Sequence, residues 1–382
     1  HTNFAMENIQ QTVNGTPSNS GRVSVTIARN GDLVGNMYVR LQPTQLNVSN
    51  LTSTNTNIDM CWVAERAIAA VELTIGGQRI DKHYQTWFRL YAECFLGESD
   101  KINYGKMASS PAPVADSVNV NSVFLPLLFF FNRNPGLYLP LIALQYHEVR
   151  LDFDLTAYFQ NYFGASAQVF EVWANYVYLD TEERRRFAQK GHEYLIEQVQ
   201  HTGGDSLPTP SASTTSQTIR LSFNHPVKEL IWCYTNTSAT SYNSLWNFTN
   251  GACSNVNLTC VPSPIFAPGA LPHDLGCPRI YSNALAMQGL VTAALTSNVG
   301  WMEESTSNAA IAAQVGVEVG PLYNFKLVLN GQDRFKEQTG KYFNQYQPYV
   351  YHTGVPYPGI YVYSFPAARG APANRHLQLL SY

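Results

Sequence analysis

Short runs of β-branched and aromatic residues recur along the whole chain, and Gly, Pro or Asn interrupts each before it grows long. "RVSVTIARNGDLV", "VELTIGGQRI", "VRLDFDL", "QVFEVWANYVYLD", "TIRLSFN", "VKELIWCYT", "FKLVLNGQDRF" and "GIYVYSF" are of this kind. Alternating or continuous apolar runs bounded by turn residues read as strands. Turns at short intervals between such strands point to an all-β sandwich or jelly roll. Helical spacing is scarce, and only "KHYQTWFRLYAECF" and "AMQGLVTAAL" mark short helices. At 382 residues the chain has room for two domains, or for one large β domain.

An internal echo favours two. "LTIGGQ" begins at Leu73 and "LVLNGQ" at Leu327, and each sets alternating apolar residues before a Gly-Gln turn. Trp87-Phe88 follows the first and Tyr342-Phe343 the second at a similar distance. Asn330-Gly331 is a tight-hairpin signal, because both central residues must accept positive φ. One copy in each half implies two similar β domains in tandem. Between them lies the polar stretch "DTEERRRFAQKGHEYLIEQVQHTGGDS", followed by the Ser/Thr/Pro-rich "SLPTPSASTTSQ". The expected division is a first jelly roll over 1–181, a linker over 182–211 and a second jelly roll over 212–382.

Composition narrows the function. Charged residues are 13% of the chain, about half of the roughly 25% usual for soluble proteins. Interface cores are depleted in charge, so this balance suits a surface covered by neighbours. The net charge of −3 is spread out and builds no field for nucleic acid. The one dense basic run, Glu183 to Phe187, reads as a solvated segment between domains. The apolar run Val123 to Phe131 is about half the ~20 residues of a membrane helix. The six cysteines, at 61, 94, 233, 253, 260 and 277, lack zinc or redox spacing. They read as scattered buried thiols, with a Cys253–Cys260 loop bridge as the alternative.

The catalytic signatures fail one by one. His147-Glu148 would need a second His at position 151, where Leu151 stands, and His192-Glu193 meets Ile196 in the same place. A strand over Gln145 to Leu155 explains the first pair better. One face carries His147, Val149, Leu151, Phe153 and Leu155; the other carries Tyr146, Glu148, Arg150, Asp152 and Asp154, whose mixed charges can pair across strands. "GESDKINYGK" and "GQDRFKEQTGK" have the wrong length for a phosphate loop. No Gly-x-Ser-x-Gly elbow occurs. His225 and His352 read as isolated packing or turn histidines. The expectation is therefore no catalytic, cofactor or metal site. Asn-x-Ser/Thr sequons at Asn14, Asn47, Asn50, Asn236, Asn247 and Asn257 lie in Asn/Ser/Thr-rich stretches that read as loops, and are candidate glycosylation sites.

Several stretches carry a family resemblance: "HTNFAMENIQQTVNG", "GDLVGNMYVRL", "IGGQRIDKHYQTW", "FFFNRNPGLYLPLIALQYHEVRL", "ERRRFAQKGHEYLIEQVQ", "FNHPVKELIW", "LVLNGQDRF" and "YFNQYQPYVYHTGVPYPGIYVYSF". In content and order they resemble the major capsid proteins of the nucleocytoplasmic large DNA viruses, the iridoviruses, phycodnaviruses and their relatives. The resemblance implies a double jelly roll of two tandem eight-stranded antiparallel sandwiches with short helices in loops. It implies a homotrimer of pseudo-hexagonal outline that tiles an icosahedral shell. The partners it implies are neighbouring capsomers, minor capsid proteins, a penton protein and an inner membrane beneath the shell, without direct nucleic-acid contact. The implied location is the capsid of a virion assembled in the host cytoplasm. The chain departs from the family pattern at both ends, so the second jelly roll is expected to be incomplete at its C-terminal end. The competing readings are a carbohydrate-binding jelly roll or minor capsid paralogue used in host attachment, with Trp246 beside Asn247 as its feature, and an enzyme.

Overall fold

The computed structural model describes residues 3–43, 62–108, 122–163, 170–204, 217–233, 248, 322–354, 356 and 359–365. Among the described residues, ten strands build the N-terminal half. They are β1 (Phe4–Gln11), β2 (Val13–Asn14), β3 (Arg22–Thr26), β4 (Leu33–Leu41), β5 (Ile68–Ile75), β6 (Gln78–Tyr84), β7 (Val123–Pro126), β8 (Leu139–Pro140), β9 (Val149–Leu155) and β10 (Phe170–Leu179). One sheet runs β1-β10-β4-β7, with β8 also on β4; the other runs β2-β3-β9-β5-β6. Every pairing is antiparallel. The chain passes back and forth between the sheets, which is jelly-roll winding.

Register explains why the two sheets face each other. Val23 pairs with Phe153 and Phe153 with Val71; Val25 pairs with Leu151 and Leu151 with Leu73. With period two, all six side chains fall on one face. They are buried, as are Val39, Leu41, Val172 and Tyr176 from the opposite sheet. The outer face of β9 carries the charges. Arg150 pairs with Asp152 at 2.7 Å, Arg22 reaches Asp154 at 3.5 Å, and the Thr26 hydroxyl donates to Glu148 at 2.7 Å.

The strand expected from Gln145 starts only at Val149. His147 and Tyr146 are exposed, so His147 does not join the buried row. The reason is a turn that closes first: the His147 amide donates to the Leu144 carbonyl at 3.0 Å, and the Arg29 guanidinium binds the carbonyls of Leu144 and His147. "TIRLSFN" is a second correction, since its residues join no ladder among the described residues. The helix foreseen near Trp87 is α1 (Gln85–Phe95). The "AMQGLVTAAL" helix lies outside the described residues. Helix α2 (Glu98–Ala108), with the short α3 (Phe130–Arg133) and α4 (Phe159–Phe163), was not foreseen.

The basic run is not simply solvated. It forms α5 (Thr181–Gln189), capped by the Asp180 side chain. Arg184 pairs with the buried Asp32 at 2.9 Å, while Arg185 and Arg186 stay exposed beside Glu182 and Glu183.

In the C-terminal half, β11 (Glu229–Cys233) pairs with β16 (Ile360–Ser364). Strand β12 (Asn324–Phe325) pairs with β15 (Gln338–Thr339), and β13 (Val328–Leu329) with β14 (Gln332–Asp333). A π-helical turn over Tyr342–Tyr346 runs into α6 (Gln347–Tyr351). Aromatic rings fill the space between them. Trp232 lies 4.6 Å from Phe325 and 5.4 Å from Phe343, and Phe335 lies 4.9 Å from Tyr363. Such pairs add roughly 0.5–1.5 kcal/mol each beyond their buried area.

The echo read in the sequence is a repeated structure. Gly76 and Gly77 turn at φ 59° and 83°, Asn330 and Gly331 at φ 51° and 79°. Both are hairpins with two left-handed central residues. Each is followed by a helical segment that buries a phenylalanine, Phe88 or Phe343.

Candidate functional site

The contact between the two halves is where the fold becomes a larger unit, and α1 is its pivot. The α1 face toward the N-terminal core is ionic. Arg89 lies 3.6 Å from Glu65 and 3.3 Å from Glu93, and Lys101 of α2 lies 3.3 Å from Glu93. The Tyr104 hydroxyl donates to Glu65 at 2.6 Å, and the Arg89 guanidinium stacks 3.5 Å over the Trp62 ring. All these groups are buried. Burial pushes the Glu65 carboxyl up, opposed by Arg89. The cluster fixes α1 and α2 against the Val63–Arg66 turn.

The C-terminal end of α1 meets the other half. Last-turn carbonyls of a helix need outside donors. Here residues just beyond α6 supply them. The Thr353 hydroxyl donates to the Phe95 carbonyl at 2.8 Å, and the Gly354 amide donates to the Cys94 carbonyl at 3.3 Å. His352 packs edge-on against Phe95, with ring centroids 5.0 Å apart. Its Nε2 is bound by Glu229 of β11, which also accepts from the Ser364 hydroxyl. His352 is therefore not the isolated histidine the sequence implied. His225 is exposed.

A strap reinforces this joint. Residues 190–204 run without regular structure along the N-terminal half. The Val199 amide donates to Asp81 at 3.1 Å, the Tyr194 hydroxyl to the Tyr138 carbonyl at 3.3 Å, and the His201 ring lies 4.7 Å from Tyr84. Glu197 takes Arg133 at 3.0 Å on one side and Lys228 on the other. One carboxylate thus joins α3 to the segment that leads into β11. Glu197 is 26% exposed, so Glu197→Gln should cost about 1 kcal/mol or less. Urea melts at low and high salt check this, and the difference should shrink in salt.

Cys94 is buried and Cys233 half-buried, and neither is in a disulfide. Burial pushes the Cys94 thiol well up and the Cys233 thiol to about 12. The thiolate is the reactive form. Iodoacetamide at pH 8 should therefore leave both unmodified in the native protein and alkylate both in urea, read by peptide mass. The Cys253–Cys260 alternative lies outside the described residues.

Among the sequons only Asn14 is described. It is exposed, but it sits in β2 paired with Ser24 rather than in a loop. Asn47, Asn50, Asn236, Asn247 and Asn257, and Trp246, lie outside the described residues. No group of three or more His, Cys, Asp or Glu in metal-binding arrangement occurs among the described residues. Sequence reasoning missed Glu229 and Gly354. Neither has a local signature, because each acts on a helix far away in the chain.

Two family models together cover most of this chain. "Major capsid protein N-terminus" matches residues 1–180, and "Large eukaryotic DNA virus major capsid protein" matches residues 183–373. The chain belongs to the major capsid proteins of large eukaryotic DNA viruses. The major capsid protein of Paramecium bursaria Chlorella virus 1 is 41% identical, over 97% of this chain and 76% of its own length. That of Phaeocystis pouchetii virus is 32% identical, over 96% of this chain and 82% of its own. A quasi-atomic model of the PBCV-1 virus capsid superimposes with a TM-score of 0.67 at 39% identity, covering 96% of this chain and 78% of that one. The fold is a double jelly roll, and the chain's role is structural, in the capsid of a virion. Capsid assembly makes self-association part of that role.

Proposed function

We propose that this capsid protein is a tile: a homotrimer whose six jelly rolls give a pseudo-hexagonal outline, repeated to form an icosahedral shell. The observation that carries the reading is the joint at α1. Two similar units in one chain are held by hydrogen-bonded caps on α1, a half-buried ring contact and a bridging carboxylate. Three such chains around one axis make six similar wedges, so a threefold object tiles a near-hexagonal net. The division follows the sequence reading, with units over 1–181 and 212–382 about a linker over 182–211. Neighbouring tiles are its main partners; minor capsid proteins, a penton protein and an inner membrane complete the shell, which is assembled in the host cytoplasm. The protein has no enzymatic activity of its own, and its sequons, the exposed Asn14 among them, carry glycans. The test is the solution mass by size-exclusion chromatography with light scattering. The expected mass is three times that of the 42.6 kDa chain, with hexagonal outlines in negative stain. A stable single chain at micromolar concentration would overturn the reading.

A further inference from the structure

Four Asn-Gly pairs stand in the chain, at 14–15, 30–31, 250–251 and 330–331. In such a pair the Asn side chain is open to attack by the next backbone nitrogen, because glycine has no Cβ to crowd the approach. Sequence ranks the four alike. The fold separates the three that are described; Asn250-Gly251 lies outside the described residues.

Two of the three are held. Asn14 lies in β2, in the ladder with Ser24, and a Cβ at Gly15 would stand 3.1 Å from the Arg22 carbonyl oxygen. Asn30-Gly31 leans on β10, where a Cβ at Gly31 would stand 2.9 Å from the Tyr176 side chain. The next residue pins that turn. The Asp32 amide donates to the Val177 carbonyl at 3.0 Å, and its carboxylate takes the Leu179 amide at 2.8 Å and Arg184 at 2.9 Å.

Asn330-Gly331 is different. Both residues are exposed, and nothing lies within 4 Å of a Cβ at Gly331. Below the turn are the pairs Val328 on Asp333 and Leu329 on Gln332, all four residues exposed, and the Arg334 amide on the Leu327 carbonyl at 2.8 Å. A hairpin this short is marginal in water, so it opens locally at small cost. Opening is what the chemistry needs. The folded turn fixes Asn330 at φ 51°, and with it the direction of the Gly331 amide. That amide must swing toward the Asn330 side chain before the two can react.

We propose that Asn330 is a site of spontaneous modification, converted through a cyclic imide to aspartate and isoaspartate, with water as the only co-reactant. The Gly331 backbone nitrogen gives its proton to a base and attacks Asn330 Cγ. The N–Cγ bond forms, the Cγ–Nδ2 bond breaks, and the side-chain nitrogen takes up a proton and leaves as ammonia. Water then opens the imide at either carbonyl. One opening leaves aspartate on the original backbone; the other leaves isoaspartate, with an extra methylene in the main chain. No electrons are exchanged. Either product puts an anion on a turn that already carries Asp333. Isoaspartate also lengthens a loop whose length sets the register of β13 on β14. The first unit cannot follow, because its matching turn is Gly76-Gly77. The modification falls on one of the two repeated hairpins.

The test is a peptide map of the purified full chain over time at pH 8 and at pH 6, with isoaspartate scored separately from aspartate. Conversion at Asn330 should run roughly tenfold or more faster than at Asn14 or Asn30, the difference that cheaper local opening makes. It should be faster at pH 8 and should yield both products. In urea the three rates should converge, since the fold alone separates them. Equal rates at the three sites in the native chain would overturn the proposal, as would conversion led by Asn14 or Asn30. Aspartate without isoaspartate would mean direct hydrolysis and no imide, and would overturn it too. So would an Asn330 that stays intact in the native chain while the chain in urea converts.

Discussion

Gly354→Ala should be among the most damaging single substitutions in the described fold, costing about 3 kcal/mol, the upper end of what overpacking usually costs. A Cβ at that position would stand 2.7 Å from the Leu96 carbonyl oxygen and closer still to that of Glu93. Both are backbone atoms at the end of α1, and the ionic cluster around Arg89 holds that helix from its other side. The helix cannot retreat, so the segment beyond α6 must. The caps on Cys94 and Phe95 would go with it, along with the contact of His352 on Phe95. Urea unfolding should show a lower midpoint and two separated transitions where the wild type couples its halves. Gly191→Ala is the control, since nothing lies within 4 Å of the added atom. If Gly354→Ala melted like that control, the close approach would have to relax freely, and the account of the joint would be wrong.

Arg89→Met should cost about 3–5 kcal/mol, the range for removing one partner of a buried charge cluster. The loss is not that of the attraction alone. Glu65 and Glu93 stay buried, without the cation 3.6 Å from one and 3.3 Å from the other. Protonation of Glu65 would relieve part of the strain. The sign is fixed by linkage: burial raises the Glu65 pKa in the folded state, so the folded state holds that proton more tightly than the unfolded state. Stability therefore rises as pH falls through the folded-state value. In the variant this dependence should be steeper than in the wild type, because the cation that opposes the shift is gone. Adding Glu65→Gln and Glu93→Gln should recover much of the loss. Urea midpoints at pH 7 and pH 5 decide the matter, and a cost below about 1 kcal/mol would mean that water reaches the cluster.

The sheets were legible because period two is a short-range signal. Val23, Val25, Leu151, Phe153, Val71 and Leu73 each announce their face within a few residues. The hairpins were legible because two consecutive positive φ angles nearly demand Gly or Asn, and Gly76-Gly77 and Asn330-Gly331 supply them. Helix α2 was not legible. It shows no apolar stripe to read, and what places it is Lys101 on Glu93 and Tyr104 on Glu65, buried polar groups that look like surface residues in a sequence. The start of β9 was misplaced because Arg29, on a different strand connection, closes the turn before it. The joint at α1 was invisible for the same reason at greater range. The Gly-Gln echo and the family resemblance both pointed to two units, but the residues that couple them had to be found in the structure.

The bond from Thr353 to Phe95 also sets an order of events in time. It spans 258 positions. At a synthesis rate of about 5–20 residues per second, its two ends leave the ribosome roughly 13 to 50 s apart. Over that interval the first jelly roll can wind, but the end of α1 has no cap, and Cys94 and Phe95 stand open to water. A chain cut short before His352 never closes this gap. Only a chain extended through Gly354 covers this helix end. Coupling of the two halves therefore waits on synthesis through Gly354, and shorter products keep this helix end uncovered.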